Sequence, residues 1–262
     1  MGSPLHSTPP SGVPRVLIAD ESPFVCRLIA GYLEEAGGFE IGGVVHDAGA
    51  LVSEVKARRP DVVTMGLELG GAGGLEALRQ VMSRTPVPVV VVTGATGRAA
   101  TRTMQALDLG AVDFALKYTP EAPVDPDVLE REIVAKVRRA AQVKVIRLVE
   151  SHGAGRTAQA AAPPPPVRRP AQRLVVIGAS TGGPEAVRSL LAELPSSLSA
   201  AILIVQHLPA SFTGVLAAQL NRSAPLPVWE SEDGQTLAAG KAYVAPGGMH
   251  LIIRPPGRAL VA

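Results

Sequence analysis

The sequence predicts an α/β protein made of two parallel-sheet units joined by a tether, and three observations predict it. From Val13 to about Leu148, short β-branched runs alternate with helical patterns, the signature of βαβ units whose strands are covered on both faces. Between about Glu150 and Gln172 that pattern stops and Ala, Pro, Gly and Arg take over, including the run Pro163 to Pro166. Strand, Gly-rich turn and helix then resume from Leu174. A chain of 262 residues that is 47% apolar has the material for two such cores.

Five strands can be placed in the first unit: Val16 to Ala19, Ile41 to Val45, Val62 to Met65, Val87 to Val92 and Val112 to Ala115. Each is almost wholly apolar, as strands buried on both faces must be. Helices are predicted over Phe24 to Glu35, Leu75 to Ser83, Thr101 to Leu109 and Leu129 to Val149. The result is a flavodoxin-like doubly wound unit over 13–149, preceded by a disordered N-terminus over 1–12. The stretch 150–172 cannot bury apolar surface and is expected to be a semi-stiff linker, with Pro-rich docking to a partner as the competing reading. In the second unit, 173–262, a strand from Leu174 to Ile177, a helix from about Pro184 to Glu193 and a strand from Ala201 to Val205 open a further doubly wound sheet.

Composition excludes several classes. The formal net charge is only +2 and the basic residues are spread along the chain, so no nucleic-acid surface is predicted. No run of about 18 uncharged apolar residues exists and Met1 to Ser11 lacks the apolar block of a signal peptide, so a cytoplasmic protein without membrane insertion is expected. The single cysteine, Cys26, has neither a disulfide partner nor zinc-ligand neighbours and reads as a small buried helix side chain.

Ligands of an open parallel sheet gather at the carboxyl ends of its strands. There the first unit holds Asp20, Glu21 and Ser22 after strand one, Thr93 closing strand four and Lys117 after strand five. With Arg59-Pro-Asp-Val-Val63 and Leu109-Gly-Ala-Val-Asp-Phe114, this set resembles the receiver domains of bacterial two-component systems. The resemblance implies an acidic pair for Mg²⁺, an aspartate acceptor after strand three, a Ser or Thr switch and a phosphate-contacting lysine followed by proline. The match breaks at the centre. The acceptor position in Thr64-Met-Gly-Leu-Glu68 is Gly66, which has no nucleophile, and Tyr118 stands where proline is expected. Glu68 is a poor substitute, since its longer side chain must reach back into a pocket shaped for a shorter one. Asp20 and Glu21 carry two readings of similar weight, a weakened Mg²⁺ site or caps of the helix that follows. Regulation by aspartyl phosphorylation is not predicted.

The second unit opens on Val176-Ile-Gly-Ala-Ser-Thr-Gly-Gly-Pro184, a serine at a sharp strand-to-helix turn between small residues. Small neighbours let a nucleophilic hydroxyl project while backbone N–H groups remain free for an oxyanion. Such a turn can equally cradle phosphates, but a dinucleotide site wants an acid at the end of the next strand. That strand ends Val205-Gln206-His207 instead. An imidazole beside a serine favours nucleophilic chemistry, because the hydroxyl needs a base to take its proton.

Three motifs in order then carry a second resemblance: Gly178-Ala-Ser-Thr-Gly-Gly-Pro184, Gln206-His-Leu-Pro209 with Phe212-Thr213, and Tyr243-Val-Ala-Pro-Gly247 with His250. They resemble the chemotaxis protein-glutamate methylesterase family (CheB-type), which also places a receiver domain and a linker before its catalytic domain. The resemblance implies hydrolysis of γ-glutamyl methyl esters on methyl-accepting chemoreceptors, releasing methanol, with glutamine deamidation in some members and no cofactor for the ester reaction. It makes Ser180 the nucleophile and His207 the base. Thr181 is either a hydrogen-bond partner of His207 or a helix cap, and His250 has no firm role. The family's triad aspartate lies in a Gly-rich segment beyond Ala262, and Asp233 matches another part of the pattern. An incomplete, impaired esterase domain with an exposed apolar edge and face is therefore expected, either as a fragment or as a natural remnant. The alternative is a non-catalytic pseudo-receiver that binds a receptor, a histidine kinase or a copy of itself.

Overall fold

A computed structural model describes residues 12–71, 73–117, 125–143, 145, 171–254 and 258–261, the last stretch as backbone only. The described chain divides into two compact units, one running through Gly94 and including Leu109–Leu148, the other combining Ala95–Asp108 with Val149–Ala262. The N-terminal segment, most of the linker and Tyr118 lie outside the described residues.

In the first unit the chain alternates β1 (Arg15–Ala19), α1 (Pro23–Ala36), β2 (Glu40–Val45), α2 (Ala48–Arg58), β3 (Val62–Gly66), α3 (Gly74–Arg84) and β4 (Val89–Thr93). After α4 (Gly97–Asp108), which falls in the second unit, come β5 (Asp113–Leu116) and α5 (Pro126–Ala140). The five strands form one parallel sheet in the order β2-β1-β3-β4-β5, the predicted doubly wound topology. Every residue of β3 and β4 is buried, which is why these strands carry no polar alternation. Val16, Ile18, Val62, Val90 and Val92 pack with Ile29 and Leu33 of α1 and Ile133 and Val137 of α5 on one face. Alternation turns Leu17, Val63, Met65 and Val91 to the other face.

Three differences from expectation concern helix ends and caps. Helix α2 follows an Asp47 cap whose carboxylate accepts from the Ala50 amide at 2.8 Å, and it ends at Arg59 in the left-handed region just before Pro60. Its weak amphipathicity hid it in the sequence. The first unit's last helix, expected over Leu129 to Val149, runs over Pro126–Ala140, and residues 144 and 146–149 lie outside the described residues. Finally, Asp20 and Glu21 do not cap α1. Ser22 does, its hydroxyl accepting from Val25 N–H at 3.4 Å, while Asp20 Oδ1 accepts from the Ser22 amide at 2.9 Å and braces the turn one step earlier.

In the second unit β6 (Leu174–Ala179), α6 (Gly183–Glu193), β7 (Ala201–Gln206) and α7 (Ala210–Ser223) precede β8 (Val228–Glu230), β9 (Lys241–Val244), β10 (Leu251–Arg254) and β11 (Arg258–Val261). Four strands pair in parallel in the order β6-β7-β9-β8, and β10 and β11 form a separate antiparallel pair. Ala201, Leu203 and Tyr243 share a core with Leu237, and Leu251 and Ile253 pack against it. The Tyr243 hydroxyl is buried with its chain, accepting from Ala238 N–H at 2.9 Å. Strand β6 is the edge. Val176 on it is 66% exposed and Val205 on the neighbouring strand 47%, whereas Leu203 and Tyr243 further into the sheet are buried.

Candidate functional site

The parallel register decides which residues meet at the rim of the second unit. Ala179 pairs with Gln206, and the His207 amide donates to the Ala179 carbonyl at 3.0 Å. Ser180 and His207 therefore leave the carboxyl ends of adjacent strands at the same level, and both are exposed. No hydrogen bond joins the two side chains among the described residues. Unliganded sites commonly hold such pairs loosely. Beyond Ser180 the chain turns through Gly182, in the left-handed region at φ 73°, and enters α6, whose N-terminus faces the rim.

Gln206 is the residue the sequence reading passed over. It is only 6% exposed, and its Nε2 donates to the Ser180 carbonyl at 2.9 Å, an oxygen that also accepts from Gly183 N–H at 2.7 Å. Its Oε1 is buried with no hydrogen-bond partner. A polar residue ending an otherwise apolar strand was the available signal.

The other motif residues support the loop that carries His207. Gly247 lies so close to it that a Cβ there would sit 2.5 Å from the Leu208 carbonyl and 2.6 Å from the Ala210 nitrogen. Buried Thr213 accepts from the Gly247 amide at 3.1 Å and donates to Glu230 Oε1 at 2.6 Å. Nothing in the sequence flagged Glu230, because only the β7-β9-β8 order brings it under α7. Thr181 is half-buried in the turn, His250 is exposed beyond β9, and Asp233 lies in a turn after β8.

In the first unit the strand ends bring Asp20, Gly66, Thr93 and Lys117 together. Asp20 is 1% exposed and its Oδ2 has no hydrogen-bond partner among the described residues. The Lys117 ammonium stands 3.7 Å from that oxygen and 3.5 Å from Glu68 Oε2, and the Lys117 amide donates to the Thr93 carbonyl at 2.7 Å. Glu21 is exposed. The room an acceptor side chain would need is taken, since a Cβ on Gly66 would lie 2.3 Å from Asp20 Oδ2. No group of three acidic, His or Cys side chains that could hold a metal ion is found among the described residues.

Comparison with known proteins defines the class first. Residues 16–152 match the response regulator receiver domain and residues 175–261 match the CheB methylesterase domain. A protein-glutamate methylesterase/protein-glutamine glutaminase of Geobacillus kaustophilus is 40% identical over 253 residues, covering 95% of this chain and 70% of that protein. A relative of the same description from Xanthomonas oryzae pv. oryzae is 39% identical over 249 residues, 93% of this chain and 69% of the relative. The chain belongs to the protein-glutamate methylesterase/protein-glutamine glutaminase family. Among solved structures, the response regulator domain of Thermotoga maritima CheB is 30% identical over 50% of this chain and 98% of that domain, with a TM-score of 0.47. The methylesterase catalytic domain of the same organism's CheB is 40% identical over 34% of this chain, with a TM-score of 0.32, and the chain spans 48% of that domain.

Proposed function

We propose that this chain is a serine-type protein-glutamate methylesterase acting on methyl-accepting chemoreceptors, with glutamine deamidation as a related reaction of the same site. The observation that supports it is the register that puts Ser180 and His207 on one rim at adjacent strand ends. In the reaction, the Ser180 oxygen adds to the γ-ester carbonyl while the His207 imidazole takes its proton. Collapse of the tetrahedral intermediate expels methoxide, which receives that proton and leaves as methanol. Water, deprotonated by His207, then splits the acyl-serine to glutamate and free Ser180. None of these steps calls on a cofactor. No carboxylate contacts His207 among the described residues, and loss of an orienting acid costs about 10⁴ in turnover in the serine-protease template. Without such a carboxylate, turnover is expected to be low.

The receiver unit is proposed to work without aspartyl phosphorylation and without Mg²⁺, as a docking module for a receptor or histidine kinase. Gly66 and the Lys117 ammonium between Asp20 and Glu68 support that part. The test is methanol release from methylated chemoreceptor. The chain should release it faster than Ser180→Ala and His207→Ala, and equal rates for all three would remove the esterase reading. With a small-molecule phosphodonor no stable phosphoprotein should form, and one that did would contradict the role given to Gly66.

A further inference from the structure

We infer that Gln206 is a positioning residue of the esterase site, holding the peptide group that follows the nucleophile. The inference rests on the esterase reading of Ser180. The carbonyl of Ser180 accepts two hydrogen bonds, from the Gly183 amide at 2.7 Å and from Gln206 Nε2 at 2.9 Å. The peptide between Ser180 and Thr181 is planar, with its carbonyl and its N–H pointing in opposite directions. Fixing the oxygen therefore fixes the direction of the Thr181 N–H and the path of the chain out of Ser180. On the esterase reading that segment has to be held still, because the hydroxyl and the oxyanion donors of the turn must meet the same reacting carbonyl.

Two features separate this role from ordinary packing. The far end of the Gln206 amide, Oε1, is buried and unpartnered, an arrangement that favours no fold and that an apolar side chain of the same length would avoid. The first helical residue of α6 is also shaped around it. A Cβ on Gly183 would stand 2.1 Å from Gln206 Oε1 and 2.8 Å from the Ala179 Cβ, so only glycine lets the amide reach the Ser180 carbonyl. Gly183 and Gln206 thus act as one unit, the glycine making room and the amide using it.

The test measures methanol release from methylated chemoreceptor as kcat and KM, with thermal unfolding of the same full chains. Gln206→Met keeps the length and removes the donor, while Gln206→Glu keeps the shape but offers an ionised acceptor to a carbonyl. Both should lower kcat by about 10²-fold, the scale of a misplaced reacting group, with KM unchanged and the Gln206→Met melting temperature equal to or above that of the parent. Gly183→Ala should lower kcat similarly, and adding Gln206→Met to it should cause no further loss, since coupled residues are not additive. A Gln206→Met protein with parental kcat overturns the inference while leaving the esterase reading intact. So does a Gln206→Met protein whose lost activity follows lost folded fraction, or a double variant whose losses multiply. A parent no faster than Ser180→Ala removes the esterase reading and this inference with it.

Discussion

At the scale of single residues, the receiver pocket is filled by its own charged side chains around Gly66. Without a carboxylate at Gly66, the Asp20 carboxylate occupies the space and Lys117 stands between Asp20 and Glu68. The pocket is thus closed by the protein's own cation. Gly66→Ala is expected to cost about 1–3 kcal/mol, because its Cβ displaces a buried carboxylate that has little room to move. Gly66→Asp should cost more, since two carboxylates would then share one site, and Mg²⁺ should restore part of that loss. Thermal unfolding with and without Mg²⁺ checks this. A parent protein whose melting temperature rises with Mg²⁺ would show that the pocket still accepts the ion. Cys26, in the same neighbourhood, is buried with its thiol pushed above the usual range chiefly by desolvation, as a structural cysteine should be.

At the scale of elements, the loop from His207 to Ala210 is held less by its own sequence than by α7 and the β9 exit. The buried Thr213 hydroxyl of α7 accepts from the Gly247 amide, which packs against the loop at Leu208 and Ala210, and donates to Glu230 of β8. Thr213→Val preserves shape and leaves a backbone N–H and a carboxylate without their partner. The expected loss is about 1–3 kcal/mol, accompanied by a drop in methanol release, because His207 is carried by the loop that is freed. Denaturant unfolding of the variant measures the first and the esterase assay the second. A stable Thr213→Val protein with parental activity would show that the loop needs no such tie. The helix caps tell the same story at smaller scale, with Ser22 rather than either neighbouring acid closing the end of α1.

At the scale of the molecule, the second unit presents an apolar edge. Strand β6 lies outermost in its sheet, and Leu174, Val175 and Val176 on it are each more than 40% exposed, at 41%, 43% and 66%. An uncovered strand of this kind pairs with other chains. Sedimentation should reveal self-association that grows with protein concentration. Val176→Lys should suppress it without lowering the melting temperature, since a charge on an edge strand opposes pairing and this position loses little burial. Association unaffected by the substitution would place its cause elsewhere.

The two-unit α/β organisation, the five receiver strands and the three motifs were legible in the sequence, because strands buried on both faces leave continuous apolar runs and sharp turns demand glycine. Gly66 was legible for the same kind of reason, a missing functional group at a position the surrounding residues define. Helices α2 and α7 and strands β8 to β11 were not, since their short or weakly amphipathic segments take their form from what they pack against. Tertiary structure alone decided that Lys117 reaches both Asp20 and Glu68, that Glu230 anchors Thr213, and that Gln206 holds the Ser180 carbonyl. Each joins residues far apart in the chain or ends of different strands, and no local pattern encodes which strand lies beside which.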